Sequence, residues 1–174
     1  MSGFSEIKEI KNVSKNDISQ KLNAFEKTSK DVNEVKHLST IREDLKGKTY
    51  PGTNVMYESH TFRLNGEKVE GVFPVFQSKF DTYLPRNLWK SGDVEQFRCC
   101  TQRLDRKIQG NPDFAKQFTA RQLEQIKNGD PRIAGLTWHH NEVPGKMQLV
   151  KADVHSQCKH TGGKSLWGGG AAYR

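Results

Sequence analysis

The sequence predicts an α+β fold, and three observations carry that expectation. Residues 55–73 hold two runs of β-forming residues separated by Asn65-Gly66, the strongest short-range signal for a hairpin. Residues 93–129 hold helical stretches with readable starts and stops. Residues 136–159 read as strand, turn, strand and helix, and this stretch carries most of the chain's histidines.

The elements follow in order. Over residues 1–48 apolar side chains recur every three or four positions: Ile7, Ile10, Ile18, Leu22 and Phe25, then Val32, Val35, Leu38, Ile41 and Leu45. That spacing predicts helices. The stripes are thin, so residues 1–50 read as a helical linker or N-terminal extension. Gly47, Pro51 and Gly52 mark the boundary to a domain over 51–174. Strands are expected over Val55–Leu64 and Glu67–Phe73. Pro74 to Arg86 reads as irregular, with Phe73, Phe76, Phe80 and Tyr83 packing inward. Asp93 with Gln96 three residues on predicts a capped helix to about Gln109. Asn111-Pro112 opens a short helix holding Phe114 and Phe118. Thr119-Ala-Arg-Gln122 is a capping box, and Asn128-Gly129 ends that helix. Leu136–His140 is extended, Pro144-Gly145 turns, Met147–Val150 returns, and Ala152 to about Lys159 is helical. Gly162-Gly163 is expected to end the order, with Gly168-Gly169-Gly170 leaving a tail that is flexible unless it is bound.

Composition bounds the function. The 174 residues suit one ordinary domain with a smaller appendage. Hydrophobic residues are 33% and mean hydropathy is −0.82, so the core is modest. The net charge is +8, which points to an anionic partner, nucleic acid ahead of a membrane surface or an acidic protein. Residues 1–100 carry a net +2 and residues 101–174 a net +6, so the excess sits beside the histidines. Cys99, Cys100 and Cys158 form neither a disulfide framework nor a four-cysteine zinc site, and read as small buried apolar residues. The start shows no secretory signal, and no apolar run approaches a membrane span. A soluble chain working in a reducing compartment, without membrane insertion, is expected.

Four of the six histidines lie between positions 139 and 160. Phosphodiester hydrolysis needs a base to deprotonate water and a cation to stabilise charge on phosphate and leaving oxygen. Neutral imidazoles from His139 and His155 are suitable metal ligands, and His140, of a residue type whose unperturbed pKa lies near neutrality, is a candidate base. Adjacent strand residues point to opposite faces, so His139 and His140 share one site only where the strand ends or bulges. His160 lies about 140° round an ideal helix from His155 and joins it only if the helix has ended. Thr161-Gly162-Gly163 favours that, giving His160 the role of a further ligand or a phosphate contact. Lys159, four residues after His155, is placed on the same helix face to meet a phosphate oxygen.

The order Trp138-His139-His140, a short hairpin, Met147-Gln-Leu-Val150, then His155 and His160-Thr-Gly-Gly163 resembles the WHH group of the HNH/endonuclease VII nucleases. The resemblance covers residues 135–170, including Ser165-Leu-Trp-Gly-Gly-Gly170, and Gly71 to Glu124 is similar to the region upstream of the motif. It implies a ββα-metal (HNH) finger over about 135–163, packed on a helical and β-hairpin region. It makes His139 and His155 metal ligands and His140 the general base. These domains occur largely as toxin modules of bacterial polymorphic toxins delivered into rival cells. The resemblance therefore implies an antibacterial nuclease acting in target-cell cytoplasm, and a cognate immunity protein, expected to be acidic. One position departs from the wider pattern. The central asparagine that braces the hairpin loop has no counterpart, since Asn141 sits too early and Gln148 is another residue type.

The expected activity is endonucleolytic hydrolysis of nucleic acid, DNA ahead of RNA, with one divalent ion: zinc, nickel, manganese or magnesium. Two rivals stay open: an RNase with a histidine acid–base pair and no metal, and a non-catalytic nucleic-acid-binding module holding structural zinc. Arg103 and Lys107, with Arg98 and Arg106 on the same helix, are candidates to grip the nucleic-acid backbone, beside the plainer reading of a solvated face. Trp138 reads as core, and His37 and His60 as solvated. Gly163-Lys164-Ser165 only imitates the end of a phosphate loop.

Overall fold

A computed structural model describes residues 14–174, so Ile7 and Ile10 lie outside the described residues. The chain divides into two compact units. One contains helix α1 (Lys15–Asn33), and the other runs from Val35 to Arg174 and so includes residues 35–50. On α1 the stripe Ile18, Leu22 and Phe25 is exposed.

The larger unit is α+β, with two antiparallel hairpins as its skeleton. Strands β3 (Met56–Leu64) and β4 (Glu67–Val75) pair from Met56 opposite Val75 to Leu64 opposite Glu67. Only Asn65 and Gly66 remain for the turn, at φ of 52° and 81°. Those positive angles belong to the tight turn whose twist matches the strands, which is why Asn-Gly is required. Tyr57 and Phe62, five residues apart on β3, point to opposite faces of the sheet, and each is buried in a different core cluster.

Two short strands complete this sheet in the order β1-β4-β3-β2. β2 (Lys48–Thr49) lies antiparallel on β3, and β1 (Val35–His37) lies parallel on β4. The helix expected from the Val32–Leu45 spacing is therefore not continued past Asn33. Val35–His37 pairs with the open edge of β4, Leu38 N–H donates to Glu70 O at 2.8 Å, and Arg42 takes a φ of 65°. Sheet pairing supplies the hydrogen bonds that local periodicity assigned to a helix. Leu45 is buried from a short 3-10 turn at Glu43–Leu45.

The second sheet has the order β5-β7-β6 and is antiparallel throughout. β6 (Leu136–His140) and β7 (Lys146–Lys151) form the expected hairpin. β5 (Phe80–Tyr83) falls in the segment read as irregular, where it pairs with β7 from Phe80 opposite Leu149 to Tyr83 opposite Lys146. Phe73 and Phe76 pack inward as expected, whereas Tyr83 stays exposed.

Helices cover this second sheet. α2 (Asp93–Gly110) turns Gln96, Cys100 and Leu104, at helical spacing, into the core. Gly92 rather than Asp93 stands at its start, and the Gln96 side chain points inward instead of capping. The segment after Asn111 is a 3-10 turn, Pro112–Gln117, with no side-chain cap. α3 (Ala120–Lys127) carries the capping box as read: Gln122 N–H donates to Thr119 Oγ1 at 3.1 Å and Thr119 N–H to Gln122 Oε1 at 2.9 Å. Trp138, Met147 and Leu149 from the sheet meet Leu104, Phe118 and Ile126 in the main core. A second cluster joins Tyr57, Val72 and Phe76 to Val150 and Cys158. Cys100 and Cys158 are buried, Cys99 is half-buried, and all three are free thiols.

After β7 come α4 (Ala152–Gln157) and α5 (Gly163–Leu166). Past Gly163 the chain does not trail off but forms short helical turns and packs back through Trp167. Trp167 is buried and its indole N–H donates to Asn141 O at 2.8 Å. Gly163 is glycine because a Cβ there would lie 1.9 Å from that same carbonyl oxygen.

Candidate metal centre

Regular alternation along β6 decides the histidine pair. Trp138 and His140 share one face, toward α2: the Trp138 indole donates to Thr101 Oγ1 at 3.1 Å, and the His140 ring lies 5.7 Å from Phe97. His139 takes the other face. The strand neither ends nor bulges before the pair, since His139 pairs with Gln148 and His140 with Met147.

On its own face His139 meets His155 of α4 and His160 from the segment after it. Ring centroids are 5.1 Å apart for His139–His155 and His139–His160, and 5.0 Å for His155–His160. One nitrogen from each lies within 4.8 Å of the others, the one such cluster among the described residues. Helix α4 ends at Gln157, which frees His160 to turn back, as its place at the site requires. The Cys158 carbonyl holds His160 Nδ1 at 2.6 Å, so Nε2 is presented to the centre. Tyr57 pins the same loop by donating to Lys159 O at 2.6 Å.

The floor is aromatic. Phe76 lies 4.9, 5.2 and 5.4 Å from the rings of His139, His155 and His160. Burial against it disfavours the charged imidazolium. Burial and the neighbouring histidines hold His139 well below its ordinary value. Burial, then His160, lowers His155 to about 4. His160 is lowered by burial, opposed by its bond to Cys158 O and by the charge of Glu142. Three neutral nitrogens facing one point are a donor set of the type that binds zinc or a neighbouring transition metal. His139 Nδ1 and His155 Nε2 are 3.1 Å apart, close to the ~3.3 Å expected for two ligands of one tetrahedral zinc.

His140 belongs to a different network. Its Nε2 lies 2.7 Å from Gln96 Oε1, and the same oxygen accepts from Lys164 Nζ at 2.9 Å. Lys164 is 3% exposed, donates to Ser91 O at 2.8 Å, and pairs with Asp93 at 3.1 Å. Burial lowers His140 to about 4, with Asp93 opposing and Lys164 assisting. Of the residues singled out in the sequence, His139, His155 and His160 come together, and His140 stands across the strand from them.

The cationic candidates are spread wider. Lys159 is exposed beside His160, but α4 has ended before it, so it shares no helix face with His155. Arg103 is half-buried on α2, and Lys107 is exposed with Nζ 5.6 Å from the Phe114 ring centre.

Four contributors escaped the sequence reading. Asn141 and Gln148, set aside as too early and of the wrong type, together form the hairpin brace. Asn141 Oδ1 accepts from Val143 N–H at 3.0 Å, and its Nδ2 donates to Gln148 Oε1 at 3.0 Å. Glu142 is 7% exposed and binds His60, half-exposed rather than simply solvated, with Oε1 2.6 Å from Nδ1. Gln96 carried a legible signal, a polar residue in register with the apolar Cys100 and Leu104.

A family profile described as the DNase/tRNase domain of colicin-like bacteriocin matches residues 65–162 of the chain. That span is more than half of the chain; it includes all four clustered histidines and stops short of Lys164. No curated protein and no solved structure gives a significant match.

Proposed function

The chain belongs to the family of DNase/tRNase domains of colicin-like bacteriocins, a nuclease toxin family, and from that premise we propose a metal-dependent endonuclease of the WHH/HNH type that cuts DNA. The carrying observation is the convergence of neutral imidazoles from His139, His155 and His160 on one point. Three protein nitrogens leave a fourth position for water or a phosphate oxygen, as catalytic sites do and closed structural sites do not. His155 and His160 are half-buried, so that position reaches solvent. In this reading β6, β7 and α4 make up the ββα-metal finger.

A divalent ion bound there supplies Lewis-acid stabilisation of the charge on phosphate and leaving oxygen. The chain supplies the rest. His139, His155 and His160 hold the ion, and Phe76 keeps water from the underside of their rings. His140 is assigned as the base because it is neutral near pH 7 and is the last residue of β6, although its ring lies on the face opposite His139. It takes a proton from water as the water oxygen bonds to phosphorus. The bond from phosphorus to the leaving sugar oxygen breaks, and that oxygen takes a proton from solvent. Lys159, with Arg103 and Lys107 of α2, contacts phosphates along the strand.

A metal-free acid–base pair is less well supported. It pairs His140 with His155 or His160 and needs one imidazole protonated near neutrality as the acid, whereas burial lowers His140 and His155 to about 4 and lowers His160 as well.

The test incubates purified protein with plasmid and with total RNA, with and without EDTA, then with each divalent ion restored. Nicking of plasmid that EDTA stops and an added ion restores is expected, and His140→Ala should abolish it while metal and DNA still bind. Cleavage of RNA to cyclic-phosphate ends that survives EDTA would sink the metal reading. The protein acts in the cytoplasm of a cell into which it is delivered, and an acidic immunity protein covering the histidine cluster protects the producer. Inhibition by that protein should weaken as salt is raised, and a salt-insensitive neutral inhibitor would contradict this assignment. Among the described residues no helix is long and apolar enough to cross a membrane.

A further inference from the structure

Gln96 is completely buried, yet it occupies a position in the inward stripe of α2 where an apolar residue is the default. Its amide is fully used. Nε2 lies 2.8 Å from both Leu88 O and Trp89 O, and Oε1 lies 2.7 Å from His140 Nε2 and 2.9 Å from Lys164 Nζ. These partners permit one orientation. Two main-chain carbonyls can only accept, so they face the amide NH2. An ammonium can only donate, so Lys164 faces the amide oxygen. The oxygen must then accept from His140 as well, and the proton of that ring resides on Nε2. A neutral imidazole carries one N–H, which leaves the lone pair on Nδ1. Among the described residues no hydrogen bond is made to Nδ1.

We propose that Gln96, backed by Lys164, is a positioning residue that fixes His140 as its Nε2–H tautomer and reserves Nδ1 as the nitrogen that accepts a proton. The inference rests on the reading of His140 as base, although the tautomer itself does not. An amide suits this task better than a carboxylate. A glutamate would pair with Lys164 and stabilise the imidazolium, whereas the glutamine orients the ring and leaves it neutral. Lys164 lies beyond the matched family segment, so α5 and the packing of Trp167 serve the catalytic hairpin.

The experiment compares full-length, zinc-loaded wild type with Gln96→Leu and Gln96→Glu. The His140 tautomer is read from ring nitrogen chemical shifts, and kcat and KM are measured on one duplex substrate. Wild type should show the proton on Nε2. Gln96→Leu should populate the Nδ1–H form and lose kcat by about 100-fold, the scale of a general-base contribution, with KM within about threefold. Gln96→Glu keeps an acceptor for Nε2–H but loses the donors to Leu88 O and Trp89 O and favours the imidazolium, so its kcat should fall between those of wild type and Gln96→Leu. A wild-type ring carrying its proton on Nδ1 overturns the proposal without any variant, even if Gln96→Leu fails to fold. A Gln96→Leu enzyme with unchanged kcat overturns it too. Full activity in His140→Ala instead removes the base reading itself, which separates the two failures.

Discussion

Nδ1 of His139 and Nε2 of His155 lie 3.1 Å apart, although one ring hangs from a strand and the other from the helix that follows it. Two neutral imidazoles can share one proton at that distance, but the nitrogen of His160 completes a triangle that one proton cannot satisfy. A metal satisfies all three. Replacing His139, His155 or His160 singly with alanine should each weaken zinc binding by more than about 100-fold, beyond the loss typical of an outer-layer partner. Competition with a chromogenic chelator measures it. Three variants with wild-type affinity would leave the cluster without a metal role.

The same burial makes the metal-free protein acid-sensitive. His140 and His155 titrate at about 4 in the fold and near 6.5 in the unfolded chain. Below pH ~6.5 the unfolded state therefore binds more protons, so stability falls as pH drops toward 4 and is level above ~7. Urea midpoints in EDTA should already decline between pH 6.5 and 5, above the usual carboxylate range. A flat profile across that window would contradict the burial of neutral rings.

The sequence disclosed the elements whose signals are local. Asn65-Gly66 demanded positive φ at both positions, and Thr119 with Gln122 closed a capping box three residues long. The histidine cluster was legible because four of the six imidazoles fall within positions 139–160. Non-local features were hidden. β1 and β5 form only because β4 and β7 offer open edges from distant parts of the chain. The divergence of His139 and His140 followed from strand alternation, but the destination of His140 required Gln96, 44 residues away. Glu142 and Asn141 lay beside the pair in sequence, and only the hairpin loop shows what they hold.

Gly163 tests how firmly the C-terminal segment is locked to the β6–β7 hairpin. A Cβ there would meet Asn141 O at 1.9 Å and Trp167 Nε1 at 2.4 Å. Neither can yield without breaking the indole bond to that carbonyl. Gly163→Ala should cost about 2–4 kcal/mol, in the range of overpacking combined with a lost buried hydrogen bond. For a chain of this size that lowers Tm by roughly 5–15 °C. Gly110→Ala, where nothing lies within 4 Å of the new methyl, is the control and should change Tm little. A Gly163→Ala protein as stable as that control would mean the contact is not maintained in solution.

Asn141 braces the loop that follows His139 and His140. Its side chain takes Val143 N–H and reaches Gln148, which in turn donates to Asp81 Oδ1 at 3.2 Å, so loop, β7 and β5 are tied by one residue. Asn141→Ala leaves the half-buried Val143 N–H and the Gln148 oxygen without these partners, a loss of about 1–3 kcal/mol. Zinc affinity should drop with it by about tenfold, because His139 lies two residues before the turn begins to close and depends on the hairpin for its aim. Asn141→Asp keeps the acceptor for Val143 but loses the donor to Gln148, so it should fall between the two. Denaturation midpoints and chelator competition on the three proteins separate these effects. Wild-type affinity in Asn141→Ala, with stability reduced, would show that the brace supports the fold without setting the geometry of the ligand.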